Sequence, residues 1–250
     1  YATYSESFGD HSVKVIAGVN LENGDYIYHN SQRRTLMDPN TGEIPLATGD
    51  QYVDGDHTDW AVAGIFGRIN YDYKGKYLLE LNGRYDGSSN FPSGSRWAFF
   101  PSFSVGYRIS EEPWWQNIKD IVSSAKIRGS YGSIGNQDVG ADRFIATMTT
   151  SSSLNWLNTS GLRPVYTNNP ANVSKKLKWE TINTINAGLD LGFLKNELLF
   201  TFDWFIRDNK NMIAPGATLP TTFGVGAASQ NTGSLRTSGW EVELNYNHNF

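Results

Sequence analysis

Between Ile65 and Ile109 the chain sorts its side chains by parity. Odd positions carry Ile65, Gly67, Ile69, Tyr71 and Tyr73, then Tyr77, Leu79, Leu81, Gly83 and Tyr85. Even positions carry Phe66, Arg68, Asn70 and Asp72, then Leu78, Glu80, Asn82, Arg84 and Asp86. A period of two means extended strands, whose successive side chains point to opposite faces. One face is therefore apolar and rimmed with Tyr, and the other holds every charge of the two runs. Lys74-Gly75-Lys76 is short enough to close a hairpin between them. A third run continues the pattern, with Phe99, Pro101, Phe103, Val105, Tyr107 and Ile109 opposed to Phe100, Ser102, Ser104, Gly106 and Arg108.

The alternation recurs along the chain. Tyr1 to Phe8, Val13 to Leu21, Ala125 to Tyr131, Ile185 to Phe193, Leu198 to Ile206 and Trp240 to Tyr246 each read as a strand, for a total of about nine. The connections Gly9 to His11, Lys74 to Lys76 and Leu194 to Glu197 are tight. Three others, at about 30–58, 137–176 and 208–235, are long and polar, beyond ordinary hairpin loops. Short turns on one rim and long loops on the other are the pattern of an outer-membrane barrel. The Ser110 to Ser124 connection is long on the short side. Ser110 placed as an N-cap, Glu111, Glu112 and Pro113 predict one or two helical turns there.

A mean hydropathy of −0.44 and the lack of a long apolar run exclude a spanning helix. They do not exclude a barrel, which needs an apolar residue only at every second position. Apolar faces of about five alternate residues, at about 3.3 Å per residue and a tilt near 40°, cross roughly the 25 Å apolar band of such a wall. Strands of soluble sandwiches are usually shorter, at about five or six residues. Tyr71, Tyr73, Tyr77, Tyr107, Trp204, Trp240 and Tyr246 lie toward segment ends, as interfacial aromatic girdles do. The fold expected is an all-β, transmembrane antiparallel β-barrel, with residues 1–250 forming part of one barrel domain. Tyr1 reads as mid-strand, so the chain is expected to be a piece of a longer protein. Phe250 falls in phase with Tyr246 and His248 and could mimic a barrel's terminal aromatic. A soluble carbohydrate-binding β-sandwich is the alternative of a different class.

The net charge of −4 argues against a polyanion-binding surface, and the absence of Cys excludes disulfides and thiolate metal sites. His11, His29, His57 and His248 lack metalloprotease spacing, and no serine sits in a nucleophile elbow. No enzyme chemistry and no cofactor are expected.

Several motifs strongly resemble the SusC/RagA family of TonB-dependent outer-membrane transporters. They are Asp86-Gly87-Ser88-Ser89-Asn90-Phe91, Arg96-Trp97-Ala98-Phe99-Phe100-Pro101-Ser102 and Gly106-Tyr107-Arg108-Ile109-Ser110-Glu111-Glu112. Lys126-Ile127-Arg128-Gly129-Ser130-Tyr131-Gly132 with Gly135-Asn136-Gln137, Leu177-Lys178-Trp179-Glu180-Thr181 and Ser238-Gly239-Trp240-Glu241-Val242 complete the set, in the family's order. The resemblance implies a barrel of about 22 strands closed by an N-terminal plug that this chain does not include. It also implies a SusD-like surface lipoprotein as lid, TonB as energy relay, and glycans or peptides as cargo in the outer membrane of a Gram-negative bacterium. A barrel used only as a docking or assembly scaffold is the alternative within the membrane class.

Within that frame Arg68, Glu80, Arg84, Asp86, Arg96 and Arg108 are expected inside the wall as structural charges, because a charge on the lipid face costs about 2 to 4 kcal/mol at the midplane. Asp86 and Arg96 flank a loop and could pair across it. Trp156, Asn155, Asn158 and Tyr166, on a long loop, are the ligand-binding candidates, since aromatic faces with amides suit sugar rings. Asp54, Asp56 and Asp59, with Asp50 and His57, are a calcium candidate without the EF-hand pattern; a solvated acidic loop is the favoured reading.

Overall fold

The computed structural model describes residues 1–140, 143–151 and 156–248. Its strands are β1 (Ala2–Phe8), β2 (His11–Arg33), β3 (Gln51–Tyr73), β4 (Tyr77–Ser88), β5 (Trp97–Arg108), β6 (Val122–Asn136), the two-residue β7 (Thr150–Ser151) and β8 (Tyr166–Thr167), β9 (Glu180–Phe193), β10 (Leu198–Ala214) and β11 (Gln230–Tyr246). Nine of them form one antiparallel sheet in the order β1-β2-β3-β4-β5-β6-β9-β10-β11, while β7 and β8 pair with each other inside the loop between β6 and β9. Apart from that loop, each strand pairs with its sequence neighbour.

Register carries the parity of the sequence across the whole sheet. Ile69, Leu81, Phe103, Tyr131 and Ile185 fall in one cross-strand row of the apolar face. Asn70, Glu80, Ser104, Ser130 and Asn186 fall in one row of the polar face. The polar face is the concave one, since a cavity of about 480 Å³ lies against it, lined by Lys14, Glu80, Lys126, Arg128 and Asn186 among others. The convex face leaves Ile65, Leu81, Phe103, Ile127, Val242 and Leu244 exposed, the arrangement expected where the solvent on that side is hydrocarbon.

The apolar band has clear limits. On the long-loop side, Leu21 gives way to Asn23 and Asp25, Ala61 to Asp59, and Trp240 to Ser238 and Arg236. Tyr85 stacks on Trp97 there, with centroids 5.2 Å apart. Trp204 and Trp240 face each other in register. Both lie mid-strand in residue count, because β10 and β11 continue beyond the band. On the short-turn side, Phe8, His11, Tyr73, Tyr77 and Tyr107 form a single cross-strand row. Their rings follow one another at 5.4, 4.8, 6.2 and 5.0 Å.

Two of the three long loops are shorter than the hydropathy pattern suggests. β2 and β3 stay paired without a break from His11↔Tyr73 to Arg33↔Gln51, leaving residues 34–50 as the loop in place of 30–58. β10 and β11 leave 215–229 in place of 208–235. The apolar alternation marks where lipid ends; the strands continue through polar residues beyond it. The helical turns expected after β5 are two 3-10 segments, Ile109–Glu111 and Pro113–Ile118. Ser110 is not their N-cap: it lies inside the first segment, buried, and neither segment has a side-chain cap.

Glu112, between those segments, accepts hydrogen bonds from Lys76 Nζ at 3.2 Å, Tyr77 OH at 3.1 Å and Tyr107 OH at 3.2 Å. The Lys76 ammonium foremost, with the phenol hydroxyls, holds the Glu112 carboxyl below the usual glutamate range.

Candidate functional site on the lumen wall and outer rim

The lumen wall is charged in pairs. Glu80 accepts from Asn70 and, at 2.8 Å, from Asn82, and Asn82 in turn accepts from Arg68 Nε at 2.6 Å. Arg84 grips Asp86 through Nε and Nη2, both at 3.0 Å; Gly64 opposite makes room, because a Cβ there would fall on the Asp86 carboxylate. These four charges lie on the polar face of β3 and β4. A denser cluster lies further round the wall. Arg128 on β6 reaches Asp190 on β9 at 3.2 Å, Asp203 on β10 at 2.5 Å and Asn186 Oδ1 at 3.3 Å, and Asn186 Nδ2 donates to Asp203 at 3.0 Å. The guanidinium lies across Gly188, where a Cβ would come within 2.5 Å of its Cζ. A charge facing two carboxylates over a glycine needs that missing side chain.

Arg96 and Arg108 depart from the expectation. Asp86 is taken by Arg84, so Arg96 does not pair with it; its Nε donates to the Phe91 carbonyl at 3.4 Å. Arg108, at the end of β5, donates to the Gly75 carbonyl at 3.1 Å and closes the Lys74–Lys76 turn. Asp54, Asp56 and Asp59 do not form a calcium loop. All three lie on β3, where parity sends Asp59 to the face opposite Asp54 and Asp56. Asp54 and Asp56 each accept from the next backbone N–H, and Asp25 pairs with His57. Among the described residues no group of three or more His, Asp or Glu could hold a metal ion.

Of the ligand candidates, Trp156 is exposed and Tyr166 half-buried in β8. The Asn158 side-chain oxygen is committed to its own turn, accepting from Ser160 N at 3.0 Å and Leu162 N at 2.9 Å. Asn155 lies outside the described residues, as does Phe250.

The motif residues converge at the outer rim. β5 and β6 pair only from Ser102↔Gly132 to Arg108↔Lys126; above that the strands part, and aromatic side chains fill the seam. Phe91, at 0% exposure, packs against Trp179 with centroids at 5.0 Å, Trp179 meets Phe100 edge-on at 5.3 Å, and Val139 completes the cluster. Hydrogen bonds lock the same knot. Trp179 Nε1 donates to the Arg96 carbonyl at 2.9 Å, Ser95 Oγ to the Leu177 carbonyl, and Asn90 Nδ2 to the Gln137 carbonyl at 3.2 Å. Glu180 accepts from Asn136 Nδ2 at 2.9 Å and Ile213 N at 2.7 Å. Both feet of the loop between β6 and β9 are thereby fixed to the β4–β5 connection. The motifs read from sequence as Asp86–Phe91, Arg96–Ser102, Gly135–Gln137 and Leu177–Thr181 thus meet in one joint.

A family model described as TonB dependent receptor-like, beta-barrel, matches residues 1–250. The chain belongs to this family. Among similar proteins, TonB-dependent receptor P26 of Formosa agariphila is 30% identical over 97% of this chain and 24% of its own length. TonB-dependent receptor SusC of Bacteroides thetaiotaomicron is 32% identical over 74% of this chain and 18% of its own length. The RagAB peptide importer in its closed-closed state superposes with a TM-score of 0.84 at 20% identity, covering 97% of this chain and 26% of that one. The chain spans about a quarter of the length of the curated relatives it matches first. The SusC/RagA resemblance drawn from the motifs thus stands with both the sequence and the fold comparisons of this TonB-dependent receptor barrel.

The Arg128 cluster was not singled out from sequence. Its members lie on the polar face of three strands, but a partner 62 or 75 residues away needs the register to be known. The knot was likewise hidden, because its aromatic residues stand in separate motifs.

Proposed function

We propose that these 250 residues are part of the single barrel domain of an outer-membrane, TonB-dependent importer of a Gram-negative bacterium. Lipid meets the convex face and the polar concave face lines the conduit. The observation that carries this reading is the nine-stranded sheet with one apolar and one polar face, joined to a family match over the whole chain. Outer loops, held by the rim knot, offer the exterior surface to cargo and to a SusD-like surface lipoprotein. TonB engages parts of the whole protein outside this chain and drives the plug. Oligosaccharides are the favoured cargo, in line with the SusC/RagA resemblance of the motifs and with Trp156 and Tyr166 on the long loop. Peptides are the second reading, supported by the RagAB likeness in fold.

The test is uptake of labelled oligosaccharides and peptides by the native host, with and without the gene and with and without TonB. Loss of one class of uptake in both deletions is expected. Unchanged uptake when TonB is removed, or a full-length protein without a plug, overturns the proposal and favours a docking scaffold.

A further inference from the structure

The connection from β5 to β6 has no counterpart on the short-turn rim. The other turns there close within a few residues, whereas this one runs through two 3-10 segments to Val122. Its apolar residues Trp114, Trp115, Ile118 and Ile121 are interspersed with Gln116, Asn117, Lys119 and Asp120. Trp115 is tied down, its Nε1 donating to the Val122 carbonyl at 3.0 Å. Trp114, Ile118 and Ile121 are instead exposed at 60%, 41% and 69%, and the Trp114 indole N–H has no hydrogen-bond partner among the described residues.

We propose that this connection is a phospholipid-binding foot, with Trp114, Ile118 and Ile121 inserted at the headgroup boundary of the leaflet on the short-turn side. Continuity with the lipid-facing wall identifies the occupant. Tyr77 and Tyr107 end the outward aromatic row, and both donate to Glu112. The segment is therefore hooked to the outward face, level with the girdle, and Trp114 follows Glu112 by two residues. A ring with an unmet N–H beside exposed aliphatic side chains suits the zone where phosphate and glycerol oxygens border hydrocarbon. Gln116, Asn117 and Asp120, exposed among them, suit the headgroup layer and keep the segment out of the hydrocarbon interior.

The inference rests on the outer-membrane reading but not on transport. The experiment uses the full-length protein in vesicles of phosphatidylethanolamine and phosphatidylglycerol, with Trp114 emission taken as the difference between wild type and Trp114→Phe. Lipids brominated near the top of the acyl chain are expected to quench that difference at least about twofold, with aqueous iodide leaving it nearly unchanged. Quenching by iodide alone overturns the foot. Quenching by neither means that protein covers Trp114, and overturns it equally. With no cysteine in these 250 residues and any cysteine elsewhere in the full-length protein replaced by Ser, a spin label at Ile121→Cys gives a second readout. It should be more accessible to oxygen than to an aqueous nickel chelate, and the reverse order refutes the proposal. Trp204 and Trp240 serve as the internal reference. If lipids quench them and spare Trp114, the foot alone falls; if lipids spare all three, the membrane placement falls with it.

Discussion

Replacing Phe91 by Ala should unfasten the long outer loop while leaving the wall intact. Phe91 is fully enclosed, against Trp179 at 5.0 Å, with Phe100 and Val139 in the same cluster. Truncating a buried Phe to Ala costs about 3–5 kcal/mol, the spread reflecting how far the cavity collapses. The rim seam has no β5–β6 backbone pairing to fall back on above Ser102↔Gly132, so the cost should appear as local opening. At about 1.4 kcal/mol per factor of ten, 3 kcal/mol raises the open population roughly 100-fold. Hydrogen exchange of the full-length protein in detergent reads this directly: amides near 135–139 and 177–180 should lose protection by that factor, while those from Phe200 to Arg207 of β10, away from the knot, stay within a few-fold of wild type. Trp179→Phe is the graded comparison. It keeps a ring and removes one N–H bond to the Arg96 carbonyl, which still accepts from Ser88 N, so a loss near 1 kcal/mol is expected. Equal protection in wild type and Phe91→Ala would refute the view that this cluster holds the loop.

Leu244→Arg places a charge on the lipid face and should destabilise the barrel by about 2–4 kcal/mol near the midplane. Thr201→Arg, on the lumen face opposite Asp190 and Glu243, should be tolerated, and urea unfolding in bilayers compares the two. Arg128→Met strands Asp190 and Asp203 and should cost roughly 1–3 kcal/mol, part of which Asp203→Asn in the same chain restores; a double-mutant cycle with no coupling would contradict the cluster. The lowered Glu112 pKa stabilises the folded rim above the usual glutamate range near about pH 4, and this contribution is lost as pH falls through the lowered value. Unfolding of wild type and Glu112→Gln should therefore diverge above that range and converge in acid; parallel curves would remove Glu112 from the account.

The wall was largely legible from sequence because its signal is local. Lipid on one side and water on the other impose a period of two, and Val13 to Leu21, Leu198 to Ile206 and Trp240 to Tyr246 carry it without reference to any distant residue. Extents were less legible. Asn23 to Arg33 and Gln51 to Asp59 are strands held by cross-strand bonds, and their composition resembles that of loops, so only pairing reveals them. The site suffered from the same limit. Arg68, Glu80, Arg84 and Asp86 find partners two to fourteen residues away in the same or the adjoining strand, a range over which parity alone places the side chains on one face. Sequence proximity offers Asp86 as a partner for Arg96, but Arg84, two residues from Asp86, already satisfies it. Parity points Arg108 to the lumen face, yet as the last residue of β5 its long side chain bends to the turn carbonyl. Asp54, Asp56 and Asp59 looked like a ligand set only while they were read as a loop.

The unbroken ladder between β2 and β3 has a mechanical consequence. From Asn23 to Arg33, ten further steps at about 3.3 Å and a tilt near 40° lift the hairpin roughly 25 Å above the hydrocarbon boundary. Residues 34–50 are thus carried on a two-stranded mast nearly as tall as the bilayer core is thick. Whatever seats on its tip stands clear of the lipid surface, and a sideways push there is transmitted down two hydrogen-bonded rails into the wall.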